Sequence, residues 1–287
     1  MQIAVASGKG GTGKTTIATS LALSLASLAK VRYFDCDVEA PNGHLFLKPE
    51  FSESIPAVIR IPQIQTEKCI ACGRCVEVCE FHALAQVGKN ILVFPQLCHG
   101  CGSCTWNCPE NVIVEVPNPI GTLERGMALE NIEFFRGLLT ISEPMPTPII
   151  RQLKKRVHPQ PNTINIYDAP PGASCSVVET LRGVDFSLLV TEPTPFGLHD
   201  LKQMLGILSD MNIPSGVVIN RDGIGDDSLE ETLREFNIPV LLRVPFDRAL
   251  AENLASGRTL VDVYPEYRNA LRDLYQQITE IVGGKTK

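Results

Sequence analysis

The chain has 287 residues, with 26 Lys and Arg against 32 Asp and Glu, a net charge of −6. With 44% hydrophobic and 20% charged residues it reads as a folded chain, and its acidic balance argues against a protein built to coat nucleic acid. No apolar run reaches the roughly 18 residues that span a membrane, and MQIAVASGKG lacks a basic segment followed by an apolar one, so a cytoplasmic location is expected.

In chain order, residues 2–6 (QIAVA) predict a buried strand, and a glycine-rich loop follows. TIATSLALSLASLA predicts a helix of small residues, and 31–35 (VRYFD) a second strand ending in acid. Strand, loop, helix and strand make a βαβ unit, which implies a parallel sheet. The rhythm breaks near residue 60. Residues 61–117 carry eight of the ten cysteines and little continuous core, with short segments such as ILVF and VIVEV between cysteine loops. Residues 118–150 give a weak signal. A helix is expected over 148–156, strands over 164–172, 186–193, 215–220 and 239–245, and helices over 197–210, 227–236 and 265–282. The expected fold is α/β, a mostly parallel β-sheet flanked by helices. Residues 1–60 and 118–287 form this domain, and 61–117 form an inserted small α+β module.

Gly8-Lys9-Gly10-Gly11-Thr12-Gly13-Lys14-Thr15 follows a strand and opens a helix, the context a P-loop requires. Glycines let backbone N–H groups turn toward phosphate, and the helix start adds positive potential. Lys14 can reach the β- and γ-phosphates and the Thr15 hydroxyl can bind Mg²⁺. The nucleotide-binding run extends to Thr16. Two strand-end acids, Asp35 with Asp37 two residues on, and Asp168, supply carboxylates for a magnesium water shell.

The cysteines form two C-x2-C-x2-C-x3-C runs, Cys69, Cys72, Cys75, Cys79 and Cys98, Cys101, Cys104, Cys108, the second ending in Pro109. Such runs hold [4Fe–4S] clusters, with the fourth cysteine crossing to the other cluster. Cys69, Cys72, Cys75 and Cys108 are therefore expected to hold one, and Cys98, Cys101, Cys104 and Cys79 the other. Two zinc sites are the competing reading; zinc ribbons usually use paired C-x2-C knuckles instead. Cys36, on a strand end, reads as a small buried residue. Cys175 is open between a structural thiol and a ligand.

With its second lysine, Lys9, the loop resembles the deviant Walker A of the MinD/Mrp family of SIMIBI-class P-loop ATPases, which includes ParA-type ATPases, the nitrogenase iron protein and Mrp-type iron–sulfur carriers. The resemblance covers the outer domain. It implies ATP hydrolysis in an ATP-dependent homodimer, or a heterodimer with a paralogue, with Lys9 reaching across; a solvated loop lysine is the plainer alternative. It also implies that Asp37 orients the attacking water, that Asp35 supports Mg²⁺ and that Asp168 opens a switch, Asp168-Ala169-Pro170-Pro171-Gly172, whose Gly172 N–H meets the γ-phosphate. By the same resemblance Asn220 reads the adenine edge, unless it is only a turn residue, and Pro245 with its neighbours packs against the base. The implied cofactors are ATP, Mg²⁺ and two [4Fe–4S] clusters, and the implied partner is a protein that accepts electrons or a cluster. Three roles stay open: nucleotide-gated electron transfer, cluster assembly or delivery, and a positional switch with structural or sensory clusters.

Overall fold

The computed structural model describes residues 1–225 and 228–284. The chain begins with β1 (Gln2–Ala6), α1 (Lys14–Leu25), β2 (Lys30–Asp35), α2 (Gly43–Leu47) and a long strand β3 (Glu50–Ile64). Then come the small elements α3 (Arg74–Glu77), β4 (Leu84–Val87), β5 (Asn90–Val93) and α4 (Ser103–Trp106). Strand β6 (Ile113–Met127) returns to β7 (Glu133–Leu139), followed by α5 (Thr147–Lys155), β8 (Thr163–Asp168), α6 (Cys175–Leu181), β9 (Phe186–Thr191) and α7 (Pro195–Asp210). The remainder is β10 (Ser215–Asp222), α8 (Ser228–Glu235), β11 (Val240–Pro245), α9 (Arg248–Ala255), α10 (Leu260–Val263) and α11 (Tyr267–Gly284). The expected helix at 227–236 begins at Ser228; Asp227 lies outside the described residues.

Among the described residues nine strands form one sheet in the order β11-β10-β9-β1-β8-β2-β7-β6-β3. It is parallel from β11 to β7, and β6 and β3 add an antiparallel edge. The fold is thus α/β with a mostly parallel sheet between helical layers. Side chains alternate across a strand, and β1 shows the effect. Ile3 and Val5 enter a core with Ile17 and Leu21 of α1 and Leu271 and Leu274 of α11. Ala4 and Ala6 enter the opposite core with Ile149 and Leu153 of α5 and Leu201 and Met204 of α7.

The structure adds to these expectations in several places. The weak signal over 118–150 conceals the second half of β6 and all of β7, which pairs with β2 in parallel, Arg32 opposite Glu133. Partner strands, not local pattern, stabilise this region. Helices α2, α6, α9 and α10 also have no counterpart among the expected elements. As for the insertion, residues 60 and 117 fall inside a continuous ribbon, with Arg60 directly opposite Pro117. The chain leaves the sheet on β3 and returns on β6, so the cysteine segments sit at the ribbon's far end. There Cys75, Cys79, Cys98 and Cys104 form a small apolar cluster with Ala83, Leu84, Ile91 and Ile113.

Candidate nucleotide site and cysteine cavities

Strands β1, β2 and β8 end side by side, with Val5 opposite Asp168 and Asp168 opposite Asp35. In open parallel sheets the carboxyl ends of the strands are where ligands bind. The loop after β1 rises there and feeds α1, which has neither a side-chain N-cap nor an acid in its first turn. Its first N–H groups are therefore free for an anion. Gly13 sits at the helix start with φ +90°, and a Cβ there would stand 2.3 Å from Nδ2 of Asn220. Glycine is required by both conformation and space.

A cleft of about 370 Å³ opens over this loop. Lys9, Gly10, Gly11, Thr12, Gly13, Lys14, Thr15 and Thr16 line it from below, with Asp37, Pro171, Asn220 and Pro245 around them. The Thr12 hydroxyl is buried with no hydrogen-bond partner, an unmet donor within a loop suited to phosphate. The far wall is apolar, built from Ile17, Phe46, Val244, Leu250 and Leu254. Phe46 and the α9 residues had not been anticipated. The signal was present: Asp247 caps α9 by accepting from the N–H groups of Ala249 and Leu250, and Leu250 and Leu254 recur at helical spacing.

Beneath the cleft floor lies a buried charged layer. Lys14 Nζ donates to Asp168 Oδ1 at 2.7 Å, and the Tyr33 hydroxyl donates to Asp168 Oδ2 at 2.8 Å. Asp35 accepts from the Gly43 N–H at 2.9 Å and from the Asp37 N–H at 3.3 Å. Burial pulls Lys14 down, but the Asp168 carboxylate more than offsets this and keeps the ammonium charged. Burial, with the nearby Asp168 charge, pushes the Asp35 carboxyl up to about 7. Burial also raises Asp37, which reaches the cleft.

Several expected residues stand elsewhere than the sequence suggested. Asp35 and Asp168 are fully buried and do not line the cleft. Gly8 faces Asp200, whose backbone oxygen would stand 2.5 Å from a Cβ at that position. The Gly172 N–H donates to the Ser7 carbonyl at 3.1 Å and not into the cleft. The Asn220 amide donates to the Thr12 carbonyl at 2.7 Å, which leaves its oxygen for a ligand. Lys9 is not free in solvent: it pairs with the buried Glu192. Glu192 also takes Arg221 at 2.9 Å, and Arg221 reaches the Gly11 carbonyl at 3.2 Å. Burial alone would raise Glu192, but these two cations hold it below the usual carboxylate range.

At the other end of the ribbon there are two cavities. Cys69, Cys72, Cys75 and Cys108 surround one, and Cys79, Cys98, Cys101 and Cys104 surround the other. The short helices α3 and α4 begin after Gly73 (φ +77°) and Gly102 (φ +75°), which turn the chain around each quartet. Among the described residues no three His, Cys, Asp or Glu side chains converge closely enough to hold a single metal ion. Cys36 is buried, and burial pushes its thiol up to about 12, as suits an inert core residue. Cys175 is exposed at the start of α6.

No helix among the described residues is long and apolar enough to cross a membrane. The fold is similar to that of the cell division ATPase MinD of Pyrococcus furiosus (TM-score 0.56, 22% identity, 98% of both chains covered). It is also similar to the septum site-determining protein MinD of Pyrococcus horikoshii OT3 in complex with Mg-ADP (TM-score 0.58, 19% identity, 99% of this chain and 98% of that one). In sequence it is 31% identical to the Methanocaldococcus jannaschii protein MJ0579, with 96% of each chain covered. It is 26% identical to a Synechocystis iron–sulfur cluster carrier protein over 93% of this chain and 66% of that one. The model of the CobQ/CobB/MinD/ParA nucleotide binding domain matches residues 3–261, and the chain belongs to that family.

Proposed function

We propose that this chain is an ATP-binding and ATP-hydrolysing iron–sulfur protein that couples nucleotide state to electron transfer or to assembly with a partner. One observation carries the reading. Two cysteine quartets, each around its own cavity, stand on a ribbon continuous with the sheet that bears the nucleotide cleft. Four thiols spread around a cavity suit a cluster in which each iron takes one thiolate, better than a single zinc ion. When bound, each cluster supplies a one-electron redox centre.

In this reading Lys14 faces the β- and γ-phosphates while anchored to Asp168. Thr15 would hold Mg²⁺ at the cleft, and Asp35 and Asp168 would act on its water shell from beneath the floor. Asp37, at the cleft, orients the attacking water. Asn220 and Pro245 border the base. Lys9, once released from Glu192, reaches a second chain across a nucleotide-dependent dimer. The chain passes from Asp35 through α2 to β3 within fifteen residues, so movement at the γ-phosphate has a short covalent path to the ribbon. The domain limits in this reading are 1–60 and 118–287, with 61–117 inserted at the end of the β3–β6 ribbon.

The test is anaerobic purification with iron and sulfide counting, followed by redox titration and partner-reduction rates with and without ATP. About eight irons and eight sulfides per chain are expected. Two zincs with no acid-labile sulfide would overturn the assignment. The names of relatives favour a second reading, delivery of a cluster. Transfer of iron and sulfide to an apo-acceptor, with loss of the chain's own clusters, would select it over electron transfer.

A further inference from the structure

The charged layer under the cleft holds a neutral side-chain donor, the Tyr33 hydroxyl. Tyr33 lies on β2 two residues before Asp35, so both side chains leave the same face of the strand. In the sheet Asp35 stands opposite Asp168, and Tyr33 stands opposite Ile166. Two residues of strand rise about 6.6 Å, close to the reach of a phenol. The Tyr33 side chain therefore runs forward along the sheet, and its hydroxyl donates to Asp168 Oδ2 at 2.8 Å. A valine or leucine there would stop short, and a phenylalanine would bring no donor. Tyr33 is fully buried. Its ring stacks on Phe134 of β7, its register partner, with 5.4 Å between centroids and 16° between planes. Phe51 of β3 meets Phe134 edge-on at 6.0 Å. Gly43 packs against the phenol as well: a Cβ there would stand 2.7 Å from Tyr33 Cε1. Neighbouring rings and the Gly43 backbone thus hold the phenol in place.

Asp168 accepts Lys14 on Oδ1 and Tyr33 on Oδ2, while Asp35 beside it accepts the backbone N–H groups of Gly43 and Asp37. Two carboxylates thus lie beside one bonded ammonium, a donor set that suits a divalent cation at the cleft above. A carboxylate oxygen has two acceptor sites. With Tyr33 on one of them, Oδ2 keeps the other, and its direction is set. Side chains that hold a metal site's carboxylates in place commonly govern affinity by roughly 10–100-fold. Resting on the nucleotide reading of the cleft, we infer that Tyr33 is a positioning residue for magnesium: its hydroxyl fixes the Asp168 carboxylate that would act on the magnesium water shell. Tyr33 does not line the cleft and meets neither nucleotide nor metal. The phosphates face Lys14 and the loop N–H groups, to which Tyr33 makes no bond. The hydroxyl therefore governs how tightly Mg²⁺ is held, and not how tightly nucleotide binds without it.

Tyr33→Phe removes one buried oxygen and keeps the stacked ring. Calorimetry measures binding of a non-hydrolysable ATP analogue to the anaerobically purified full chain, in EDTA and over a series of Mg²⁺ concentrations, with circular dichroism as the check of folding. In EDTA, Y33F is expected to bind the analogue as the unaltered chain does. The Mg²⁺ concentration that gives half of the gain in affinity is expected to rise about tenfold. Phe134→Leu keeps the hydroxyl but removes the ring that Tyr33 stacks on, and it should move the same Mg²⁺ midpoint in the same direction by less. A folded Y33F with an unshifted midpoint overturns the inference. So does an equal loss of affinity with and without Mg²⁺, the mark of a structural role alone. If Y33F does not fold, an unshifted midpoint in F134L overturns it instead. All of these results leave the nucleotide reading intact. An unaltered chain that binds no analogue, or binds it equally at every Mg²⁺ concentration, overturns that reading together with the inference.

Discussion

The nucleotide cleft and the cysteine module are held together by different means. The cleft rests on nine strands and two cores, and its charged groups are already partnered: Lys14 with Asp168, Asp35 with the Gly43 N–H, Lys9 with Glu192. The module has one small apolar cluster in which four of the eight buried side chains are cysteines. A core that size does not offset the conformational entropy of some fifty residues, so in the proposed reading the clusters supply the rest of its order. On that reading one region is preorganised for its ligand and the other is completed by it.

Removing the metal tests this contrast most severely. Chelation of iron under anaerobic conditions is expected to leave the sheet folded and to open residues 65–112 to protease. Proteolysis followed by mass spectrometry gives the answer, and equal protection of both regions after iron loss would erase the distinction. Next in size is Lys14→Ala. It removes the cation facing the phosphates and leaves Asp168 buried without its countercharge, so nucleotide affinity should fall by about 10²-fold or more, measurable by calorimetry. Asp37→Ala should spare affinity and lower hydrolysis by roughly 10²-fold, read as phosphate release. A variant that hydrolyses ATP at the unaltered rate would remove Asp37 from the site.

The smallest expected effect concerns the sheet end of the ribbon, where β6 joins β7 and β2. Arg32 on β2 donates to Glu133 on β7 at 2.8 Å, and Arg125 of the ribbon pairs with the same carboxylate. Burial alone would raise Glu133, but these cations hold it below its usual value of 4.5. A depressed carboxyl stabilises the fold above its unfolded pKa, and that contribution fades as pH falls below 4.5 through the folded value. Glu133→Gln should therefore cost on the order of 2 kcal/mol at pH 7 and flatten the acid limb of thermal stability below pH 4.5. An unchanged acid limb would show that the pair contributes nothing to the stability of the sheet.

The cleft was legible in the sequence because its signals are local. QIAVA, the glycine loop and the small-residue helix are consecutive, and the strand-end acids follow apolar runs. The cysteine quartets were legible for the same reason. The ribbon was not. Pro56, Pro62, Pro117 and Pro119 lie within it and resemble boundaries, yet none breaks it. Strand β3 pairs only with β6, and β6 meets β7 only from Gly121 onward. At all four positions one side of the strand therefore lacks a ladder, and a missing N–H costs nothing there. The burial of Asp35 and Asp168 and the sequestration of Lys9 by Glu192 depend on residues far apart in the chain. No window of sequence contains them.

Arg60 facing Pro117 has a consequence for how such a chain can arise. Where two neighbouring strands run antiparallel, the chain ends at any level of the ribbon are already adjacent. Everything beyond that level can be exchanged for a short turn, and the result is an ordinary hairpin in the same register. Residues beyond Arg60 and before Pro117 are thus portable in the evolutionary sense. A cysteine-bearing segment could enter a tight turn of an ancestral member of the family without altering the sheet hydrogen bonds below it, and the same cut shows where a chain without that segment could be recovered by design.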